Sequence, residues 1–128
     1  MPLPYPYAKI DEDGFELEIV EQAAALNHPF LRSPIPADEL RFAAKPGDLV
    51  KLIFKYRENA DWDGQPINAE HMWVLITDFG EGCLVGTLDS FPKFTKLLKV
   101  NDMILFHPKH IVNFWSDEPT TDNPAPST

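Results

Sequence analysis

Cysteine occurs once in these 128 residues, at Cys83. A lone cysteine excludes an intrachain disulfide, suits a reducing compartment, and is expected to be a small buried hydrophobe. No apolar run approaches the ~18–20 residues that a membrane helix needs, and MPLPYPYAKIDED has no basic stretch leading into an apolar one. The expected location is the cytoplasm. Glycine is sparse, with six residues, and these punctuate turns. There is no phosphate-cradling glycine loop, no GxSxG, no HExxH and no paired CxxC. The sequence therefore argues against a conventional hydrolase, a nucleotide enzyme or a zinc site, and no cofactor and no metal is expected. Basic residues are also short, eleven Lys and Arg against twenty Asp and Glu, a net charge of −9. Phosphate backbones reward Lys and Arg that displace counterions, so nucleic acid and anionic membrane are poor partners, whereas a basic protein would be steered in.

The acidity is uneven. Residues 1–40 carry eight acids against Lys9 and Arg32, residues 41–115 carry nine charges of each sign, and the tail from Ser116 adds three acids. With 44% apolar and 24% charged residues, the middle of the chain has the composition of one soluble domain. The expected organisation is an extended N-terminal arm over residues 1–12, an α+β domain over 13–115, and a disordered acidic tail over 116–128.

The proline alternation of PLPYPY enforces an extended arm. Asp13 with Glu16 three residues later has capping-box spacing, and Phe15, Ile19, Ala23 and Leu26 recur at helical intervals, so residues 14–27 are expected to form an amphipathic helix ending near His28-Pro29. PADELRFAA suggests a short helix starting at Pro36. KPGDLVKLIFKYR alternates with period two, placing Val50, Leu52, Phe54 and Tyr56 on one face of a strand. ENADWDGQPINAE, residues 58–70, is rich in turn formers around Asp63-Gly64 and is expected to be a long exposed connection. HMWVLITDF and CLVGTL form the next two strands, joined by FGEG, with Gly86 as a bulge or close-approach site. SFPKFTKLL spaces Phe91, Phe94 and Leu97 for one apolar side. Lys99-Val100-Asn101-Asp102 repeats Lys45-Pro46-Gly47-Asp48, so both should be tight turns launching a strand. Pro108 then divides MILFH from HIVNFW, giving a kinked strand or two short ones. The sum is an N-terminal helix packed on a curved antiparallel sheet of four to five strands.

The Gly47-Asp48-Leu49-Val50-Lys51-Leu52 strand, the Glu70-His71-Met72-Trp73-Val74 segment, Gly86-Thr87-Leu88-Asp89 followed by Pro92, and Asn101-Asp102 leading to His110-Ile111-Val112 resemble the bacterial family termed domain of unknown function 2314. The resemblance spans residues 45–115. It implies a compact α+β domain with a twisted antiparallel sheet, in small bacterial cytosolic proteins, some of which resemble immunity proteins in size and acidity. It implies no activity.

Glu70 and His71 are adjacent, so on a strand they point to opposite faces. Asp89, at the far end of the hairpin from FGEG, is the expected cross-strand neighbour of His71, as an acid–base pair or, more simply, a structural hydrogen bond. His107 and His110 are three apart across Pro108 and, lacking a metal-ligand framework, are expected to be solvated surface histidines. Trp73 is expected in the core. Trp62, flanked by Asp61 and Asp63 on the exposed connection, suits an interface with a basic protein, with Glu70 as a further contact. The leading functional expectation is a non-catalytic cytosolic protein-binding domain, an immunity protein neutralising a toxin. The alternative is a small enzyme or ligand-binding domain using His71 and Asp89 at the sheet edge.

Overall fold

A computed structural model describes residues 8–21, 35–80 and 83–115. Ile10–Asp13 forms one helical turn, α1, and Gly14, at φ 84°, stops it in a left-handed conformation that glycine adopts without steric cost. The chain then extends as β1, Phe15–Leu17. The expected helix over 14–27 is thus replaced by strand and irregular backbone up to Glu21, and its remainder lies outside the described residues. Asp13 caps the preceding turn instead of a following one, its carboxylate accepting from the Lys9 amide at 2.8 Å, while Glu16 accepts from the Ile10 amide at 3.2 Å. Helical spacing of apolar residues could not reveal a glycine-terminated turn just before them. The proline-rich arm and acidic tail expectations fall on residues 1–7 and 116–128, outside the described residues.

The second short helix, α2, runs Asp38–Phe42. Five further strands follow: β2 Leu49–Trp62, β3 Gln65–Gly80, β4 Cys83–Leu88, β5 Met103–Phe106 and β6 Ile111–Phe114. A 3-10 turn, Pro108–His110, joins β5 to β6, so Pro108 separates two short strands as its missing amide requires. The sheet is antiparallel in the order β1-β2-β3-β4-β5, with β6 also paired to β2, which makes six strands among the described residues instead of four to five. Beyond Leu52, the edge of β2 that pairs with β6 passes to β1, which meets it at Phe54, Lys55 and Tyr56. A hollow of about 470 Å³ is lined jointly by α1, β1 and β5. The two ends of the sheet therefore curl round to face each other.

The concave face holds the main core: Val50, Leu52, Phe54 and Tyr56 of β2, Met72, Val74 and Ile76 of β3, Leu84 and Leu88 of β4, Ile104 and Phe106 of β5, and Ile111 of β6. Phe94 and Leu98 pack against it, whereas Phe91 and Leu97 are exposed. The apolar side expected from Phe91, Phe94 and Leu97 is thus not the buried one. A smaller core of Val20, Ile35, Ile53 and Val112 covers the other face of β2. Cys83 is buried. Among the described residues no helix is long and apolar enough to cross a membrane.

The repeated turns occupy equivalent places. Gly47 and Asn101 take φ 99° and 76°. Asp48 and Asp102 each donate their amide to the lysine three residues back, and each carboxylate accepts that lysine's amide. Gly47 and Asp48 then bracket Ile76 of β3 with backbone hydrogen bonds, as Asn101 and Asp102 bracket Leu88 of β4. One turn design thereby launches both strands that flank the β3–β4 hairpin.

Candidate functional site

The segment 58–70 is a two-stranded arm, not a loop. Asp63 and Gly64, at φ 52° and 82°, make the two-residue turn whose backbone twist matches paired strands, and Trp62 pairs with Gln65, Asp61 with Pro66, Ala60 with Ile67. Asp61, Asp63, Gly64, Gln65 and Pro66 are exposed at its tip, and Arg57, Glu58 and Asn59 are exposed nearer its base. Asp61 and Asp63, the chain neighbours of Trp62, are thus exposed at the end of the hairpin.

At the base of the arm the register slips: Lys55 pairs with Ala69, but the next pair is Ala60 with Ile67. Glu70 stands just before the slip, opposite Phe54 in the register that runs unbroken from Leu49 to Lys55, and on the concave face. There its carboxylate accepts from the Tyr56 hydroxyl at 2.6 Å and from the Lys93 and Phe94 amides, each at 3.2 Å. Burial, then the hydrogen bond and charge of Glu70, push the Tyr56 phenol upward from its ordinary value, so it stays a donor. Glu70 thereby ties the 93–94 segment to the arm.

His71 lies on the opposite face, paired with Ile53. Asp89 is not its direct partner. Val74 pairs with Leu88, and the Asp89 amide donates to the Trp73 carbonyl at 2.8 Å, so Asp89 faces Trp73 and stands diagonal to His71 on one face. The next residue, Ser90, accepts the Trp73 amide through its hydroxyl at 2.9 Å. Trp73 is half-buried on this outer face instead of in the core, meeting Trp115 edge-on at 5.4 Å with the Lys51 ammonium 5.0 Å from its ring. Apolar residues on both faces of β3 do not require equal burial, since Leu75 beside it is exposed.

The two histidines are structural, and His110 is buried instead of solvated. Its Nδ1 accepts the His107 amide at 2.9 Å, and the His107 Nδ1 accepts the Lys109 amide at 3.0 Å, so both rings cap the 3-10 turn with unprotonated nitrogens. Burial, then the neighbouring His107 and Arg41, push His110 down to about 3. Burial also lowers His107, with Lys109 and Arg41 contributing. Among the described residues no group of three or more His, Cys, Asp or Glu could hold a metal ion.

Arg41 was not singled out by any sequence pattern. Its guanidinium is fully buried and donates to the carbonyls of Val20, Pro108 and Lys109, and to Asp38. Period-two alternation puts Tyr56 on the face of Val50, Leu52 and Phe54, but its bond to Glu70 follows from the β2–β3 register, which alternation does not reveal.

The family model described as "Uncharacterized protein conserved in bacteria (DUF2314)" matches residues 21–118. No curated protein and no solved structure matches the chain.

Proposed function

This chain belongs to the DUF2314 family of bacterial proteins, and we propose that it is a non-catalytic, cytosolic protein-binding domain whose hairpin arm engages a basic partner. The observation that carries this reading is the exposed tip of the arm, where Asp61 and Asp63, the chain neighbours of Trp62, stand at a two-residue turn. Flanking carboxylates steer a cationic surface into encounter, and an aromatic between them supplies apolar contact area. The net charge of −9 extends the same field. Glu70 supports the arm from within, since its carboxylate is taken up by Tyr56, Lys93 and Phe94.

A bacterial toxin with a basic active surface is the partner class that fits, which makes the protein an immunity protein. Nucleic acid and anionic membrane would be repelled. The test is co-expression with a toxin encoded beside it, comparing wild type with Asp61→Lys/Asp63→Lys. The variant should fold with unchanged Tm, because both side chains are exposed, yet lose protection and bind the purified toxin at least tenfold more weakly. Full protection by the variant would remove the arm as the contact.

A further inference from the structure

At the base of the arm lies a cleft of about 560 Å³, a volume in the range of small-molecule sites. Its walls come from three places: Gly14 after α1, Tyr56 to Ala60 of β2, and Lys93 to Leu97 of the connection between β4 and β5. Arg57, Lys93 and Lys96 line it against one carboxylate, Glu58. In a chain with twenty acids and eleven bases this is a local reversal of sign. Glu70 lies behind the wall, bonded to Tyr56 and to the Lys93 and Phe94 amides, and even with its charge counted three cations face two carboxylates.

The geometry is held from below and from the side. The Arg57 amide donates to the Gly14 carbonyl at 2.9 Å and its Nη1 to the Asp11 carbonyl at 3.0 Å, which fixes the guanidinium while leaving other donors of its fork. None of the three cations forms an ion pair among the described residues. Phe94 and Leu97 supply apolar wall, and Leu97 is 56% exposed beside the opening. A Cβ on Gly14 would stand 2.7 Å from Leu97 Cδ1, so glycine there lets Leu97 lean into place.

We propose that this cleft binds a small amphiphilic anion, a carboxylate or phosphate head held by Arg57, Lys93 and Lys96 with an apolar group against Phe94 and Leu97. The site is distinct from the acidic tip of the arm and does not depend on the partner proposed there.

The test is a titration of the isotope-labelled full chain, followed by amide NMR, with 4-phenylbutyrate, phenyl phosphate, inorganic phosphate and the neutral 4-phenyl-1-butanol. Saturable shifts are expected at residues 57–60 and 93–97 with one or both aryl anions, weakening at least tenfold in Lys93→Glu/Lys96→Glu and weakening with added salt. Lys45→Glu, outside the cleft lining, should leave them unchanged, whereas Asp61→Lys/Asp63→Lys, which adds positive charge next to Ala60, should not weaken them. Equal binding of the neutral alcohol, inorganic phosphate as tight as the aryl anions, absence of saturable shifts, or full binding by the double lysine variant would each overturn the proposal.

Discussion

Arg41 Nη2 donates to the carbonyl oxygen of Val20 at 2.8 Å, joining α2 to a segment that precedes it by 21 positions. The same guanidinium holds the carbonyls of Pro108 and Lys109, so one planar fork unites three pieces of chain around the smaller core. Truncating it leaves buried acceptors without donors, at roughly 1–3 kcal/mol each. Arg41→Met should therefore lose about 3 kcal/mol or more in urea denaturation. Arg41→Lys should recover little, because an ammonium cannot span three carbonyls. A loss below about 1 kcal/mol for Arg41→Met would show that the carbonyls find other partners.

His110 makes stability depend on pH. Its folded pKa is lowered to about 3, whereas the unfolded imidazole titrates near 6.5. The unfolded chain then binds the extra proton between these values, so the stabilisation is complete above pH ~6.5 and is lost progressively as pH falls toward 3. The slope approaches about 1.4 kcal/mol per pH unit well inside the window. Above pH 5 few carboxylates titrate, so histidines dominate the window, and His107, also lowered by burial, adds to the fall. Thermal melts should show Tm falling from pH 6.5 to 5, and His110→Gln, though less stable at pH 7, should show a shallower fall. Parallel profiles would place the pH dependence elsewhere.

The clearest parts of the fold in the sequence were those where one local rule had no competitor. Period-two alternation from Val50 to Tyr56 marked β2, and the Lys-x-Gly/Asn-Asp turns were legible from residues that tolerate positive φ. Asp63-Gly64 carried a hairpin signal as well, but the polar residues around it argued for a loop. They are polar because the arm leaves the core, so patterning could not mark a strand with no buried face. The helical spacing of Phe15 and Ile19 misled because Gly14 ends α1 and the chain turns to pair with β2. At the candidate sites, His71 and Asp89 share a face as strand parity requires, yet their offset arises from the hairpin register. The Tyr56–Glu70 bond and the cationic cleft were illegible for a related reason. The bond follows from the β2–β3 register, and the cleft lies at a slip that sets five steps of β2 against two of β3.

The twin turns give a paired test. Asn101 takes φ 76° and Gly47 takes φ 99°, a region costing most side chains about 1–2 kcal/mol. Asn101→Ala and Gly47→Ala should each destabilise by about 1 kcal/mol, while Asn101→Gly should be neutral or slightly stabilising. If both alanine variants match wild type in urea midpoint, the positive φ is not enforced in solution.

Gly86 is the most constrained position of the central hairpin. It pairs with both Ile76 and Ile104, and a Cβ there would meet the Leu75 carbonyl oxygen and Val74 Cγ1, each at 2.5 Å. The β3–β4 register shifts at the next step, where Asp78 pairs with Val85, so Thr77 is the extra residue beside this contact. The bulge lets the strands close over a residue without a side chain. Gly86→Ala should cost about 1–3 kcal/mol, since the carbonyl moves only if the ladder does. Val74→Ala on that background relieves one contact but leaves the carbonyl, and it removes a buried methyl pair from the core. The double variant should therefore be no more stable than Gly86→Ala alone. A full rescue measured by urea denaturation would show that the side chain of Val74, and not the backbone of Leu75, is what excludes a larger residue.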